Sequence, residues 1–109
     1  MHELSIAQSV VEAVTERAEG RQVRRVSMVV GRLSGVVPHA LAFSFGLVCE
    51  GTVVEGAELV VDEPGGRARC RSCESDFDVE DLVLLCRCGS TDVELVRGHE
   101  LLVSSMELV

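Results

Sequence analysis

Two groups of residues in this chain have the types and spacing of metal ligands. The first is Cys70-Arg71-Ser72-Cys73, followed after twelve residues by Cys86-Arg87-Cys88-Gly89. Two close thiol pairs suit three chemistries. Disulfides belong to oxidising compartments. A thioredoxin-type redox site uses one Cys-x-x-Cys at a helix N-terminus. A structural zinc site takes four soft ligands in a tetrahedron, two from each turn. The spacing suits the third best, and four protein ligands leave no open position for catalysis. The second pair is one residue short of the usual Cys-x-x-Cys. In that usual turn, N–H groups two and three residues on point back at the first sulfur, so the short turn should lose one such bond. Asp76, Asp78 or His99 could complete the shell if one thiolate fails.

The second group is Met1-His2-Glu3. A free α-amine, an imidazole and the backbone amide nitrogens of His2 and Glu3 make a nitrogen-rich, near-planar donor set. Such sets select Ni(II) or Cu(II) over Zn(II). The bulk of His2 should keep Met1, and so its amine, in place.

The elements that position these groups follow from composition and periodicity. The chain has 109 residues, 47% hydrophobic, with a net charge of -8. That length fits one domain with a small insert. The acidity argues against a nucleic-acid partner, which calls for a basic face. No apolar run approaches the roughly 18 residues of a membrane span. No charged leader with an apolar core precedes Leu4. The expectation is a cytoplasmic protein with no membrane partner.

Leu4, Ala7, Val11, Val14 and Ala18 recur at helical steps, widened by Ile6, Val10 and Ala13, and predict a helix over 3–19 that ends at Gly20. Packing of Leu4 should then hold His2 close to the protein body. Residues 23–31 alternate, with Val26, Met28 and Val30 on one face of a strand. Pro38 opens a second helix that buries Leu41, Phe45 and Val48 and stops at Gly51. Cys49 reads as a small buried apolar residue. A second strand covers 57–62, ended by Pro64-Gly65-Gly66. A short strand follows at 93–96, and a last strand from Leu101 to about Glu107. The fold class expected is α/β (α+β): a small mixed sheet with two helices on one face, plus an inserted zinc-knuckle module. Its domains would be 1–66 with 94–109, carrying nickel, and 67–93, carrying zinc.

These residues resemble the HypA/HybF family of hydrogenase and urease maturation proteins, which are nickel metallochaperones. The resemblance runs the full length. It includes Met1-His2-Glu3-Leu4-Ser5, Pro38-His39-Ala40-Leu41-Ala42-Phe43-Ser44-Phe45, Gly51-Thr52 and Gly56-Ala57-Glu58-Leu59. It continues through Cys70-x-x-Cys73, Cys86-x-Cys88-Gly89-Ser90 and Gly98-His99-Glu100-Leu101. The family pattern for the second pair is Cys-Pro-x-Cys, from which this chain departs. The resemblance implies that Met1, His2 and Glu3 belong to a nickel site and that Cys70, Cys73, Cys86 and Cys88 hold structural zinc. It implies delivery of Ni(II) as cargo for maturation of a [NiFe] hydrogenase, with a nickel-loading GTPase and the hydrogenase large subunit as partners.

Two other classes remain open on the residues alone. One is a zinc-ribbon adaptor without transferable metal, indifferent to a blocked α-amine. The other is a thiol oxidoreductase, whose cysteines would cycle and not retain zinc. No Gly-rich phosphate loop and no assembled nucleophile and base point to an enzyme.

Overall fold

The spacing of Ala7, Val11, Val14 and Ala18 becomes helix α1 (His2–Ala18) in the computed structural model, which describes residues 2–109. Met1, part of the expected nickel donor set, lies outside the described residues. Helix α1 buries Ala7, Val10, Val11, Val14 and Ala18. It ends where Glu19 and Gly20 turn to positive φ and the Arg21 N–H donates to the Ala18 carbonyl. Leu4 does not anchor its start. That side chain is 41% exposed, because the buried stripe begins a turn later, at Ala7.

Strand β1 (Val23–Val30) puts Val23, Val26, Met28 and Val30 inside. Helix α2 (Pro38–Cys49) starts with proline in its first turn, where the missing N–H has no helical acceptor to lose. It buries Leu41, Phe45 and Cys49. Val48, expected on that face, is half-buried, because Cys49 takes the place one turn beyond Phe45. Burial also pushes the Cys49 thiol up to about 11, as befits an inert core residue. Strand β2 (Glu58–Asp62) follows, and β6 (Leu101–Leu108) closes the first sheet in the order β2-β1-β6. Arg25 pairs with Glu58 and with Glu107, both at 2.8 Å. All three side chains are well exposed, so solvent screens each pair and it adds little stability.

The cysteine region is itself a sheet. Strands β3 (Gly66–Cys70), β4 (Asp76–Val79) and β5 (Val93–Arg97) lie in the order β4-β3-β5. Both pairings are antiparallel, with Ala68 opposite Phe77 on one side and opposite Leu95 on the other. The sequence reading had no strands within the cysteine module. The period of two is present in β3, but its inward residues are Gly66, Ala68 and Cys70, too small to stand out as a hydrophobic pattern. Two sheets therefore stand where the alternation pointed to one, and the fold is α+β.

Two compact units result. One runs to Met28 and takes in Val36–Val61 and Leu102–Val109; the other is Val29–Gly35 with Asp62–Leu101. Within the second unit three glycines bring backbones together. A Cβ on Gly31 would overlap the Gly98 carbonyl, and one on Gly98 would meet the Gly66 Cα at 2.6 Å. Around them the Leu33 N–H donates to the Gly98 carbonyl at 2.7 Å and the Gly31 N–H to that of Glu100 at 2.8 Å. Among the described residues no helix is long and apolar enough to cross a membrane.

Two alanine substitutions separate backbone conformation from close approach. Gly20 has φ +84 with open space around it, whereas Gly98 has φ +108 and the Gly66 backbone against it. Gly20→Ala should cost about 1 kcal/mol of stability in urea unfolding, the ordinary left-handed penalty. Gly98→Ala should cost about 3 kcal/mol, because backbone must also move. Equal losses would contradict the packed-glycine account.

Candidate metal centre

Strand β3 delivers Cys70 at its last position, and the chain turns back immediately. The Glu74 N–H donates to the Cys70 carbonyl and the Cys70 N–H to the Ser75 carbonyl, both at 2.9 Å. Glu74 adopts φ 62 to make that turn. The second pair sits in a similar loop. The Gly89 N–H donates to the Cys86 carbonyl at 2.9 Å, the Cys86 N–H donates to the Ser90 carbonyl at 3.0 Å, and Gly89 has φ 91. The Ser72 and Ser90 hydroxyls join the two turns at 2.8 Å. The Arg71 N–H adds a bond to the Asp92 carbonyl at 3.0 Å.

These turns bring all four sulfurs together, within 4.8 Å of one another. Cys70 Sγ lies 3.7 Å from Cys88 Sγ, and Cys73 Sγ lies 3.5 Å from Cys86 Sγ. A tetrahedron of thiolates at the usual Zn–S distance of about 2.3 Å has edges of about 3.8 Å. The cluster therefore fits zinc in size and in donor softness, and Cys88 belongs to it despite the shortened pair. The shortening has the expected local effect. Cys70 accepts backbone N–H bonds from Ser72 and Cys73, whereas Cys86 accepts one from Cys88 alone. Among the described residues, these cysteines form the one group of three or more ligand side chains that could hold an ion. Asp76, Asp78 and His99 are outside it. Asp78 instead pairs with Arg67 at 2.8 Å and Asp76 with Arg69 at 3.7 Å, directly across β3 and β4.

The same hydrogen bonds bias the sulfurs between thiol and thiolate. The Cys73 N–H holds the Cys70 thiol below its usual value, the Ser75 hydroxyl does so for Cys73, and the Cys88 N–H for Cys86. Cys88 goes the other way. The Ser90 N–H favours its thiolate, but Cys86, desolvation, Cys70 and Cys73 outweigh it and push the thiol up to about 12. The hydrogen bonds to Cys70, Cys73 and Cys86 thus favour their thiolates, the form in which sulfur binds a metal ion. Ser72, Ser75 and Ser90 shape this environment, yet sequence reasoning missed them. Serine is an ordinary turn residue, and only position distinguishes these three: the Ser75 hydroxyl lies 3.0 Å from Cys73 Sγ, and those of Ser72 and Ser90 bond each other.

At the other candidate group, His2 and Glu3 open α1. The Glu3 Oε2 accepts the Val37 N–H at 3.1 Å. Val37 is the N-cap of α2 and makes no side-chain cap of its own, so a carboxylate from another helix serves its N–H. That bond, then the residue's own amide, hold the Glu3 carboxyl below its ordinary value of 4.5. Its contribution to stability is present above that value and fades as pH falls through the lower, folded one. The structure gives Glu3 a clamping role that spacing alone did not reveal.

Known proteins resemble this chain along its length. Residues 1–108 match the family model described as "Hydrogenase/urease nickel incorporation, metallochaperone, hypA". The hydrogenase maturation factor HypA of Chlorobaculum tepidum is 46% identical over 112 residues, covering 99% of each chain. That of Trichormus variabilis is 42% identical over 108 residues, covering 99% of this chain and 96% of the other. A solution structure of a HypA protein superposes with a TM-score of 0.76 at 24% identity, over 100% of this chain and 97% of that one. The nickel metallochaperone HypA of Helicobacter pylori gives 0.70 at 22%, over 98% and 97%. The two structures show the same fold.

Binding through thiolates has a measurable consequence. Loading with one Zn(II) at pH 7 should release protons from the four thiols taken together, and zinc affinity should fall as pH is lowered and protons compete for the sulfurs. Calorimetry in two buffers of different protonation enthalpy measures the release. Zinc binding without proton release, or unchanged in Cys88→Ala, would contradict a four-sulfur site.

Proposed function

Because the chain belongs to the HypA family of hydrogenase/urease nickel-incorporation metallochaperones, we propose that it is a nickel carrier. It takes up Ni(II) at Met1, His2 and Glu3 and gives it up during maturation of a [NiFe] hydrogenase. Cys70, Cys73, Cys86 and Cys88 hold a structural Zn(II). Metal binding divides accordingly, with nickel on residues 1–66 and 94–109 and zinc on 67–93. The protein is a carrier, not an enzyme. It works in the cytoplasm, and its partners are a nickel-loading GTPase and the hydrogenase large subunit. The observation that carries this reading is the family match across residues 1–108.

The local chemistry of the helix start supports it. The first four N–H groups of an α-helix have no intrahelical acceptor, so ionising the amides of His2 and Glu3 breaks no helical hydrogen bond. The positive end of the helix dipole disfavours a bare dication there. Two ionised amides offset that charge, so the cargo is held only while the amides are deprotonated. Protons returning to amide and imidazole nitrogens favour release. The Glu3 carboxylate stays with the Val37 N–H, leaving the backbone nitrogen of Glu3 as its donor. Uptake and release then need no opening of the apolar core, which begins at Ala7.

Nickel titration tests this directly. The unmodified chain should bind one Ni(II), more weakly as the solution is made acidic. His2→Ala, or one residue added before Met1, should abolish that binding while circular dichroism and zinc content stay unchanged. Unaltered nickel affinity in either variant would contradict the site.

A further inference from the structure

The backbone serves the four sulfurs unequally. Cys70 accepts N–H bonds from Ser72 and Cys73, and Cys88 accepts one from Ser90. Their sulfurs lie 3.7 Å apart, so this close pair holds three backbone bonds. The other close pair, Cys73 and Cys86 at 3.5 Å, holds two, one from Ser75 and one from Cys88. The bond it lacks is the one that the shortened Cys86-Arg87-Cys88 turn cannot make. Two thiolates side by side repel each other, and each hydrogen bond to sulfur offsets part of that repulsion. A side-chain donor stands at this deficient pair. The Ser75 hydroxyl oxygen lies 3.0 Å from Cys73 Sγ and 3.7 Å from Cys86 Sγ. Backbone bonds fix its place. The Ser75 carbonyl accepts the Cys70 N–H at 2.9 Å, and the Ser75 N–H is on Cys73. Ser75 therefore contacts three of the four cysteines.

We propose that Ser75 is a positioning residue of the zinc centre, its hydroxyl bridging Cys73 and Cys86 and standing in for the amide that the shortened second turn lacks, a role that rests on the zinc reading above. A hydroxyl carries one proton and rotates about its C–O bond, so it can turn to either sulfur. Hydrogen bonds to an ionised acceptor are about twice as strong as those to a neutral one. The donor is thus matched to the deprotonated cysteines that a zinc ion binds. Water can also reach the exposed Cys73, but it would have to be immobilised there, whereas the Ser75 oxygen is already in place. The neighbouring serines do a different job. The Ser72 and Ser90 hydroxyls bond each other at 2.8 Å and so join the two turns, while Ser75 acts on the sulfurs themselves.

The test is titration of the full chain and its variants with Co(II) and with Zn(II). Ser75→Ala removes the hydroxyl at an exposed position, so the fold should survive. The variant should still take one Co(II), with its sulfur-to-cobalt charge-transfer band moved to lower energy, because a thiolate without its hydrogen bond gives up an electron more readily. Its Zn(II) affinity should fall about tenfold or more, the usual effect of losing a partner of a metal ligand. Ser75→Thr keeps a hydroxyl and should restore both band and affinity. Ser72→Ala removes only the link to the Ser90 hydroxyl and should leave the band in place. One glycine inserted between Arg87 and Cys88 restores the Cys-x-x-Cys spacing. In that background Ser75→Ala should cost at least about threefold less in zinc affinity, the coupling expected of two groups that share a task. An unshifted band with unchanged zinc affinity in Ser75→Ala would overturn the proposal. An equal cost of Ser75→Ala in both backgrounds would overturn it too, since the hydroxyl would then replace nothing. Absence of sulfur-to-cobalt bands in the unaltered chain is a distinct result, which would remove the zinc reading and the role of Ser75 with it.

Discussion

The second unit depends on four sulfurs meeting at one point. Its buried apolar side chains between Asp62 and Leu101 are Ala68, Cys70, Val79 and Cys86, and two of these four are members of the cluster. So small an apolar interior supplies little hydrophobic stabilisation on its own. Arg67 and Arg69 of β3 pair with Asp78 and Asp76 of β4, but exposed pairs contribute little. What closes the unit is the pair of turns, each fixed by backbone bonds to its own cysteine and joined through Ser72 and Ser90. A tetrahedral ion bound there would act as the core, so its binding energy is folding energy.

The first unit is built on the opposite principle. Helices α1 and α2 and strand β1 bury a conventional apolar set. Its distinctive feature is the Glu3 carboxylate on the Val37 N–H, which ties the first turn of α1 to the N-cap of α2. The proposed metal-binding groups would differ as well. Soft thiolates in a tetrahedron favour zinc, and a tetragonal set of nitrogens favours nickel. If the chain is the carrier proposed above, these preferences would let it keep one ion as structure and pass the other on.

Much of this was legible in the residues. The periods of α1 and β1, the proline that starts α2, the cysteine spacing and the family resemblance all point to what is found. The losses have physical causes. Strand β3 escaped notice because an alternation of Gly66, Ala68 and Cys70 against arginines has no hydrophobic contrast. Leu4 lies on the α1 stripe by spacing, yet packing starts a turn beyond it, and a hydrogen bond from Glu3 does the anchoring instead. Sequence periodicity reports a preferred face, not where along a helix its neighbours begin. For α2 the composition gave little guide to its buried side, since exposed Phe43 and Leu47 are as apolar as buried Leu41 and Phe45.

X-ray absorption on the unmodified chain loaded with one Ni(II) and one Zn(II) tests the separation of the two metal sites most directly, because each edge reports its own ion. The account predicts four sulfurs at about 2.3 Å around zinc, and nitrogen or oxygen donors with imidazole scattering around nickel. Sulfur in the nickel shell, or fewer than four sulfurs around zinc, would contradict it.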